Sequence, residues 1–156
     1  MIILTGAEGF IGKNFKSKAS DVIEVDQHNC WKFLKTFDKW DQVSLILHQG
    51  AISSTVETNI NKIHRWNVEY TLSLFEFAIQ YQIPIRYASS ASVYGTLDAS
   101  EGKVNPQTQY AISKLQLDYW VKDHIKQFKS VQGFRYFNVY GQNEGHKNDQ
   151  ASPVSK

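Results

Sequence analysis

A glycine-spaced turn near the start of the chain restricts the fold more than any other feature of the sequence. Its glycines stand three residues apart in the run Thr5-Gly6-Ala7-Glu8-Gly9-Phe10-Ile11-Gly12. An apolar run that predicts a strand precedes the turn, and an amphipathic pattern that predicts a helix follows it. Glycine is needed where backbone turns tightly or approaches phosphate oxygens, and the first N–H groups of a helix attract anions. The turn therefore predicts a strand–turn–helix unit that can hold a pyrophosphate.

Short apolar runs alternate with longer amphipathic stretches along the rest of the chain. This alternation is typical of a parallel sheet covered by helices. We therefore predict an α/β fold, a Rossmann-like doubly wound parallel sheet with helices on both faces. The predicted strands are Ile2–Thr5, Val22–Val25, Val43–His48, Ile85–Ser89 and Val131–Phe137, and the predicted helices are Phe10–Lys18, Trp31–Lys39, Asn61–Gln82 and Gln107–Phe128.

The connection between the second and third predicted strands is short. It holds only sixteen residues, Gln27 to Gln42, where a six-stranded doubly wound sheet would place a helix, a strand and another helix. We therefore expect one helix and no complete strand there, and a sheet of about five strands. The strand that would flank the adenine of a bound dinucleotide is the one that is missing.

Length and composition exclude several classes of protein. The 156 residues suffice for one domain with a substantial core, and 42% hydrophobic residues are typical of a globular chain. The net charge of +2 comes from interspersed acids and bases, so we predict no nucleic-acid partner. We find no apolar run of membrane-spanning length, no signal-peptide pattern and no metal-ligand motif. The single Cys30 cannot form an internal disulfide, and we expect a cytoplasmic protein.

Residues after the second and third strands extend the phosphate turn into a dinucleotide site. Asp26 lies twenty residues after Gly6, where its carboxylate can accept hydrogen bonds from the adenosine ribose. The run His48-Gln49-Gly50-Ala51 ends the third strand with small residues that let the backbone pass close to a cofactor, and we interpret His48 as a packing residue. A carboxylate favours NAD, whereas nearby cationic side chains can accept the 2′-phosphate of NADP, so the choice between NAD and NADP stays open.

A serine, a tyrosine and a lysine form a predicted proton-transfer group. Ser90 ends the fourth strand at the edge of the sheet where such folds place their ligands, and Tyr110 and Lys114 share one face of a helix. A tyrosine with a pKa near 10 is a poor base at neutral pH. We expect the lysine ammonium and the positive nicotinamide ring to lower the Tyr110 pKa, and the Ser90 hydroxyl to relay a proton. These residues predict an enzyme that oxidises or reduces an alcohol carbon.

The chain resembles the extended short-chain dehydrogenase/reductase superfamily, the NAD-dependent nucleotide-sugar epimerases and dehydratases. Within it, the similarity is greatest to the ADP-glycero-manno-heptose 6-epimerases. Four stretches carry it, namely His48 to Thr55, Tyr87 to Ala91, Gly133-Phe134-Arg135-Tyr136-Phe137-Asn138-Val139-Tyr140-Gly141, and Glu144-Gly145-His146-Lys147. The last two stretches distinguish the heptose enzymes from other members.

The resemblance implies an isomerase that oxidises a sugar carbon to a ketone with bound NADP or NAD and then reduces it on the opposite face. It implies Tyr110 and Lys147 as two acid/base residues, Ser90 as their hydroxyl partner and Lys114 as the residue that holds the cofactor. It implies cofactor contacts at Phe10, Ile11, Asp26, Gln27, Asn67 and Val139. The full predicted cofactor-binding set also includes Gly6, Gly9, Gly12, Gln49, Gly50, Ala51, Tyr110 and Lys114. It implies substrate contacts at Ser90, Asn138 and Lys147.

The resemblance also implies a second half of the protein that closes over the nucleotide-sugar. We expect a cofactor-binding domain over residues 1–141 and the start of the substrate side over residues 142–156. The isolated chain is then expected to be inactive, with ADP-heptose as the favoured substrate of the whole protein. A UDP- or GDP-sugar epimerase or dehydratase, and a dinucleotide-binding fragment without turnover, stay open as alternatives, as does a homo-oligomer.

Overall fold

Five parallel strands form one sheet. The computed structural model describes residues 1–141, so Lys147 and the segment 142–156 lie outside the described residues. The strands are β1 (Ile2–Thr5), β2 (Val22–Val25), β3 (Leu45–His48), β4 (Ile85–Ser90) and β5 (Val131–Tyr136). Their order in the sheet is β2-β1-β3-β4-β5. The predicted Rossmann-like sheet of about five strands is confirmed, and the strand order reverses between β1 and β3, where such sheets bind ligands.

Helices connect the strands, and their ends follow local signals. They are α1 (Phe10–Lys16), α2 (Cys30–Thr36), α3 (Ile60–Ile63), α4 (Tyr70–Gln80) and α5 (Gln109–His124). The Asn59 side chain accepts a hydrogen bond from the Lys62 N–H at the start of α3, and the Thr108 hydroxyl accepts one from the Ala111 N–H at the start of α5. Such side-chain caps satisfy N–H groups that the helix leaves unpaired.

The helix predicted over residues 61–82 is irregular. A π-helical stretch, His64–Glu69, separates α3 from α4. Residue Gln82 has a positive φ of 52° and lies outside the helix. Apolar residues recur at nearly the same spacing in α-helical and π-helical backbone. The hydrophobic pattern therefore predicts a helix here but does not show where its hydrogen bonding changes.

The connection between β2 and β3 contains no strand within the described residues, as predicted. It consists of α2 and a short 3₁₀ turn, Trp40–Gln42. Aromatic packing fixes this connection to the body of the protein: the Trp40 ring stacks on Phe77 of α4 with centroids 4.3 Å apart and an interplanar angle of 6°. Phe37 packs edge-on against Trp40 at 5.1 Å. Large aromatic surfaces therefore cover the region that a further strand fills in larger sheets.

The core lies on both faces of the three central strands. Ile3, Ile46 and Ile85 of β1, β3 and β4 are fully buried, as is Phe75 of α4. Strands that are covered on both faces read as continuous apolar runs, which is why these three were recognisable in the sequence. Within residues 1–141, no helix is long and apolar enough to cross a membrane.

Candidate active site

A crevice with a volume of about 1220 Å³ runs along the carboxyl ends of the strands. Its size exceeds the roughly 300–1,000 Å³ of ordinary small-molecule sites, so it suits an elongated ligand. It crosses the strand reversal between β1 and β3. Of the sequence-predicted site residues, the crevice is lined by Gly6, Gly9, Phe10, Ile11, Gly12, Asp26, Gln27, Gln49, Gly50, Ala51, Ser90, Tyr110, Lys114, Asn138 and Val139.

The glycine turn forms the floor of the crevice beside β1. Gly6 has a positive φ of 68°, and a Cβ atom there would stand 2.7 Å from the Cα of Gly50. The backbone after β1 and the backbone after β3 therefore touch, and no other residue type fits at Gly6. Gly9 is the extended residue before α1, and its N–H donates to the Gly6 carbonyl oxygen at 3.0 Å. The turn is compact, and it leaves the start of α1 facing the crevice.

The carboxylate of Asp26 lies beside this turn at the end of β2. Its Oδ2 atom accepts a hydrogen bond from the backbone N–H of Glu8 at 2.8 Å. The Asp26 N–H donates to Oδ1 of Asn29 at 2.7 Å, which fixes the backbone where β2 ends. Asp26 is partly buried and Gln27 is exposed. The Asp26 carboxylate thus lies next to the glycine turn, at the β2 end of the crevice.

His48 supports the turn from behind, as the packing interpretation predicted. Its ring is almost wholly buried and bonds to the hydroxyl of Thr5 and, at 2.8 Å, to the hydroxyl of Thr71. Burial, reinforced by the charge of Lys114, lowers the pKa of His48 to about 3. The ring is therefore neutral at physiological pH and joins β1, β3 and α4 through hydrogen bonds.

Ser90, Tyr110 and Lys114 meet at the opposite end of the crevice from Asp26. Ser90 is close enough to the Tyr110 phenol to lower the pKa of that phenol, and the Ser90 hydroxyl accepts from the Ser92 hydroxyl at 2.8 Å. The Lys114 side chain is 1% exposed, and its ammonium donates to the Ala88 carbonyl oxygen at 2.8 Å. Its Nζ atom lies 5.9 Å from the centroid of the Tyr110 ring. The predicted proton-transfer group is therefore assembled in one place.

Two opposing effects set the pKa of Tyr110 in the chain by itself. Burial raises the pKa of the phenol, and the hydrogen bond from Ser90 lowers it by a smaller amount. In the chain by itself, desolvation of the phenolate therefore outweighs the help from Ser90. The predicted lowering of the Tyr110 pKa also depends on the positive nicotinamide ring, and it stays a prediction for the chain with its cofactor. The pKa of Lys114 is lowered to about 8 by its burial, while the charge of Asp118 raises it.

Asn67 lies behind the crevice and not on its surface. It was predicted to contact the cofactor, but its side chain is fully buried and occupied by the protein. Its Oδ1 atom accepts from the Ile52 N–H at 2.8 Å, and its Nδ2 atom donates to the Ile52 carbonyl oxygen at 3.0 Å and to the Ser113 hydroxyl at 3.2 Å. Asn67 therefore fixes the loop after β3 to helix α5, and in this way positions the crevice wall.

Asp118 is a site-supporting residue that the sequence analysis missed. Its carboxylate accepts hydrogen bonds from the Tyr87 hydroxyl at 2.9 Å, the Ser89 hydroxyl at 3.0 Å and Nε of Arg135 at 2.9 Å. These partners lie on β4 and β5, so one residue of α5 joins three elements. A possible signal was its position four residues after Lys114, on the same helix face.

The crevice wall beyond Asp26 was also missed. Cys30, Trp66 and Tyr70 line it, and none of the three was predicted as a site residue from the sequence. Tyr70 is 4% exposed, as expected for a core residue, and Trp66 is partly buried against the same cluster. A large aromatic residue can pack in the core and line a binding site at the same time. Hydrophobic periodicity indicates only that such a residue is packed.

The fold and the crevice together define a doubly wound α/β protein with a serine–tyrosine–lysine group at the edge of its sheet. The sequence profile of the NAD dependent epimerase/dehydratase family matches residues 2–155, and the chain belongs to that family. The class anticipated from the sequence is thereby confirmed.

Individual relatives point in the same direction. The chain is 36% identical to ADP-L-glycero-D-manno-heptose-6-epimerase of Brachyspira hyodysenteriae over 186 aligned positions, which cover 97% of this chain and 58% of that protein. The crystal structure of ADP-L-glycero-D-manno-heptose-6-epimerase of Helicobacter pylori superposes with a TM-score of 0.83 at 27% identity, over 98% of this chain and 60% of that one. MoeE5, solved with UDP-glucose and NAD, gives 0.73 at 25% identity, over 90% and 55%. The chain thus spans about three fifths of the length of the relatives it matches most fully.

Proposed function

We propose that this chain forms the cofactor-binding and proton-transfer part of a nucleotide-sugar epimerase. The observation that carries the proposal is the convergence of Ser90, Tyr110 and Lys114 at one end of a crevice whose other end holds the glycine turn and Asp26. One elongated ligand can touch both groups. Membership of the NAD dependent epimerase/dehydratase family supports the assignment of that ligand as a nicotinamide dinucleotide.

The crevice fits such a ligand. Gly6 and Gly50 line the crevice and bring the backbones after β1 and β3 into contact, which gives a pyrophosphate a surface of bare backbone to lie on. The carboxylate of Asp26 suits ribose hydroxyls. Gln49 lines the crevice with a buried side-chain oxygen that has no hydrogen-bond partner among residues 1–141. When bound, the nicotinamide ring accepts a hydride from the sugar carbon and returns it. The NAD of MoeE5 supports NAD as the cofactor, with NADP as the alternative.

The chain's own residues handle the proton. Burial raises the Tyr110 pKa, and we propose that the positive charges of the Lys114 ammonium and of a bound nicotinamide ring would oppose this effect and favour the phenolate. The Tyr110 phenolate then takes the proton of the sugar hydroxyl, and the neutral phenol later returns a proton to the oxygen. The hydrogen bond from Ser90 stabilises the phenolate and orients the substrate hydroxyl. The Lys114 ammonium, fixed by the Ala88 carbonyl oxygen, is placed to hold the nicotinamide ribose. Lys147 is proposed as the second acid/base, acting on the opposite face of the ketone.

The proposed substrate of the whole protein is an ADP-linked heptose. Two relatives that this chain matches over nearly its full length carry the name ADP-L-glycero-D-manno-heptose-6-epimerase. Asn138 lines the crevice near the nicotinamide end and is proposed to contact the sugar. UDP- and GDP-linked sugars are the competing substrates. UDP-linked sugars are included because MoeE5, a structural relative, was solved with UDP-glucose.

A second proposal concerns the chain by itself. Because it spans about three fifths of its relatives' length, residues 1–156 are proposed to bind the dinucleotide with little or no turnover. Isothermal titration of the chain with NADH and NADPH, followed by an assay with ADP-heptose, tests this. Rapid epimerisation by residues 1–156 alone would contradict it.

The test of the proposed activity uses a protein of the relatives' full length in which residues 1–156 are those of this chain, with Tyr110→Phe as the decisive variant. Epimerisation of ADP-glycero-manno-heptose is followed by NMR, with UDP- and GDP-sugars as a substrate panel. Removing the phenolic oxygen is expected to lower kcat by about 100-fold or more, since general acid–base catalysis contributes about 10²–10⁴-fold. NADH affinity is expected to change little.

The matched control is Tyr119→Phe, which removes a phenolic oxygen from an exposed position of the same helix. It is expected to leave kcat unchanged. Undiminished turnover in Tyr110→Phe would refute the role given to that tyrosine. Absence of NADH binding in the unaltered chain would refute the proposed function as a whole.

A further inference from the structure

A second recess continues the crevice beyond Asp26. It has a volume of about 520 Å³ and is bounded by Glu8, Asp26, Gln27, His28 and Trp66. Asp26 and Trp66 also line the main crevice, so the two spaces share a wall. A ligand that lies on the glycine turn and contacts Asp26 through a ribose has its base on this side. The recess is therefore the place for the adenine, provided that the proposed dinucleotide binding holds.

An indole ring forms the wall of this recess. Trp66 belongs to the π-helical stretch before α4, and its ring leans on Trp31 of α2 with centroids 6.2 Å apart and an interplanar angle of 54°. The guanidinium of Arg65 lies 5.4 Å from the centroid of the Trp31 ring. This packing fixes a partly exposed aromatic surface at the position where the short β2–β3 connection supplies no strand. Flat aromatic rings stack well on purine bases.

A buried phenol lies beside the same wall. Tyr70 is 4% exposed and lines the crevice, and its hydroxyl has no hydrogen-bond partner among residues 1–141. Its ring packs edge-on against Trp31 at 5.4 Å. Burial raises the pKa of the Tyr70 phenol, so the hydroxyl keeps its proton and is a donor at neutral pH. An unpartnered buried hydroxyl costs free energy unless a ligand satisfies it.

We propose that Trp66 and Tyr70 form an adenine subsite that replaces the strand missing between β2 and β3. The Trp66 indole stacks on the adenine of the dinucleotide, and the Tyr70 hydroxyl donates a hydrogen bond to the adenosine half. Both residues act only on the part of the ligand that NADH shares with ADP. This restriction makes the subsite separable from the nicotinamide end of the crevice.

The test measures NADH and ADP dissociation constants by isothermal titration for the full chain and for Trp66→Leu. Loss of a base-stacking surface is expected to weaken both ligands by the same factor, roughly tenfold. Trp66→Phe keeps a flat ring and is expected to recover most of the affinity. Tyr110→Phe, at the other end of the crevice, is expected to leave ADP binding unchanged.

Tyr70→Phe supplies an independent measurement. It is expected to weaken ADP and NADH roughly threefold to tenfold while leaving the thermal midpoint of the free chain unchanged or higher, because the hydroxyl has no partner there. A structural role for the hydroxyl would instead lower the midpoint.

Three outcomes separate the conclusions. Unchanged ADP and NADH affinity in Trp66→Leu would overturn the adenine subsite and leave the proposed function standing. Weaker NADH binding with unchanged ADP binding would also overturn it, because the loss would lie outside the adenosine half. No binding of NADH by the unaltered chain would overturn the proposed function itself.

Discussion

Lys114 shows how the position of one side chain sets its chemistry. Its ammonium is buried, and one carbonyl oxygen, that of Ala88, accepts its hydrogen bond. Burial lowers its pKa to about 8, from an ordinary value of 10.5. A cation held in this way is a strong hydrogen-bond partner for a ribose hydroxyl. Its burial, however, lowers the stability of the folded chain while the ammonium is charged.

The burial of the charged Lys114 ammonium predicts that the stability of the folded chain depends on pH. Since the folded-state pKa lies below the unfolded one, the unfolded chain binds more protons between pH 8 and 10.5, and the free energy of unfolding rises with pH in that window. From pH 7 to 9.5 the native chain is expected to gain about 2 kcal/mol relative to Lys114→Met, as urea unfolding at both pH values would show.

The control for this experiment is Lys122→Met, which removes an exposed ammonium from the same helix. Its unfolding free energy is expected to follow that of the native chain at both pH values. Parallel curves for the native chain and Lys114→Met would show that the Lys114 ammonium carries no burial cost.

The carboxylate of Asp118 fixes helix α5 against the sheet. Asp118 is 11% exposed in its side chain and joins α5 to β4 and β5 through Tyr87, Ser89 and Arg135. Its charge also raises the pKa of Lys114. The same residue thus fixes the helix that carries Tyr110 and supports the cation beside it.

Asp118→Asn is expected to lower the free energy of unfolding by about 2 kcal/mol, because the Arg135 guanidinium loses its charged partner and one of the two carboxylate oxygens that accept hydrogen bonds becomes an amide NH2 group. Urea unfolding measures the change. Glu101→Gln removes an exposed carboxylate that pairs with Lys103 at 2.8 Å, and it is expected to cost less than about 1 kcal/mol. Equal effects of the two substitutions would refute the joining role of Asp118.

Among residues 1–141, the sheet ends in an unpaired edge at β5. β5 pairs with β4 on one side, and within residues 1–141 no strand pairs with its other side. Phe134 on this strand is 43% exposed, and Phe137 just after it is 67% exposed. An unpaired strand edge with apolar side chains is a template for association with another chain.

The chain is therefore expected to self-associate as its concentration rises, and Phe134→Lys is expected to shift it towards the monomer. Size-exclusion chromatography with light scattering measures the mass. Leu97→Lys changes an equally exposed apolar residue in a loop, away from the strand edge, and is expected to have no effect. A single monomeric mass for the native chain at every concentration would refute the prediction.

Features that depend on local spacing could be predicted from the amino-acid sequence. The apolar runs of β1 and β4, the turn at Gly6 and the shared helix face of Tyr110 and Lys114 could all be predicted, because each depends on neighbours a few residues away. The length of the β2–β3 connection likewise predicted the number of strands. These features place the crevice and the proton-transfer group.

Contacts between side chains that are far apart in the chain became visible only in the folded protein. Asp118 accepts from Tyr87 across 31 positions of the chain, and Asn67 reaches Ser113 across 46. The helical pattern over residues 61–82 could not show that the Tyr70 hydroxyl has no hydrogen-bond partner among residues 1–141 and lies at the crevice wall. The burial that raises the Tyr110 pKa arises in the same way, because desolvation depends on all elements packed around a group and not on its neighbours in sequence.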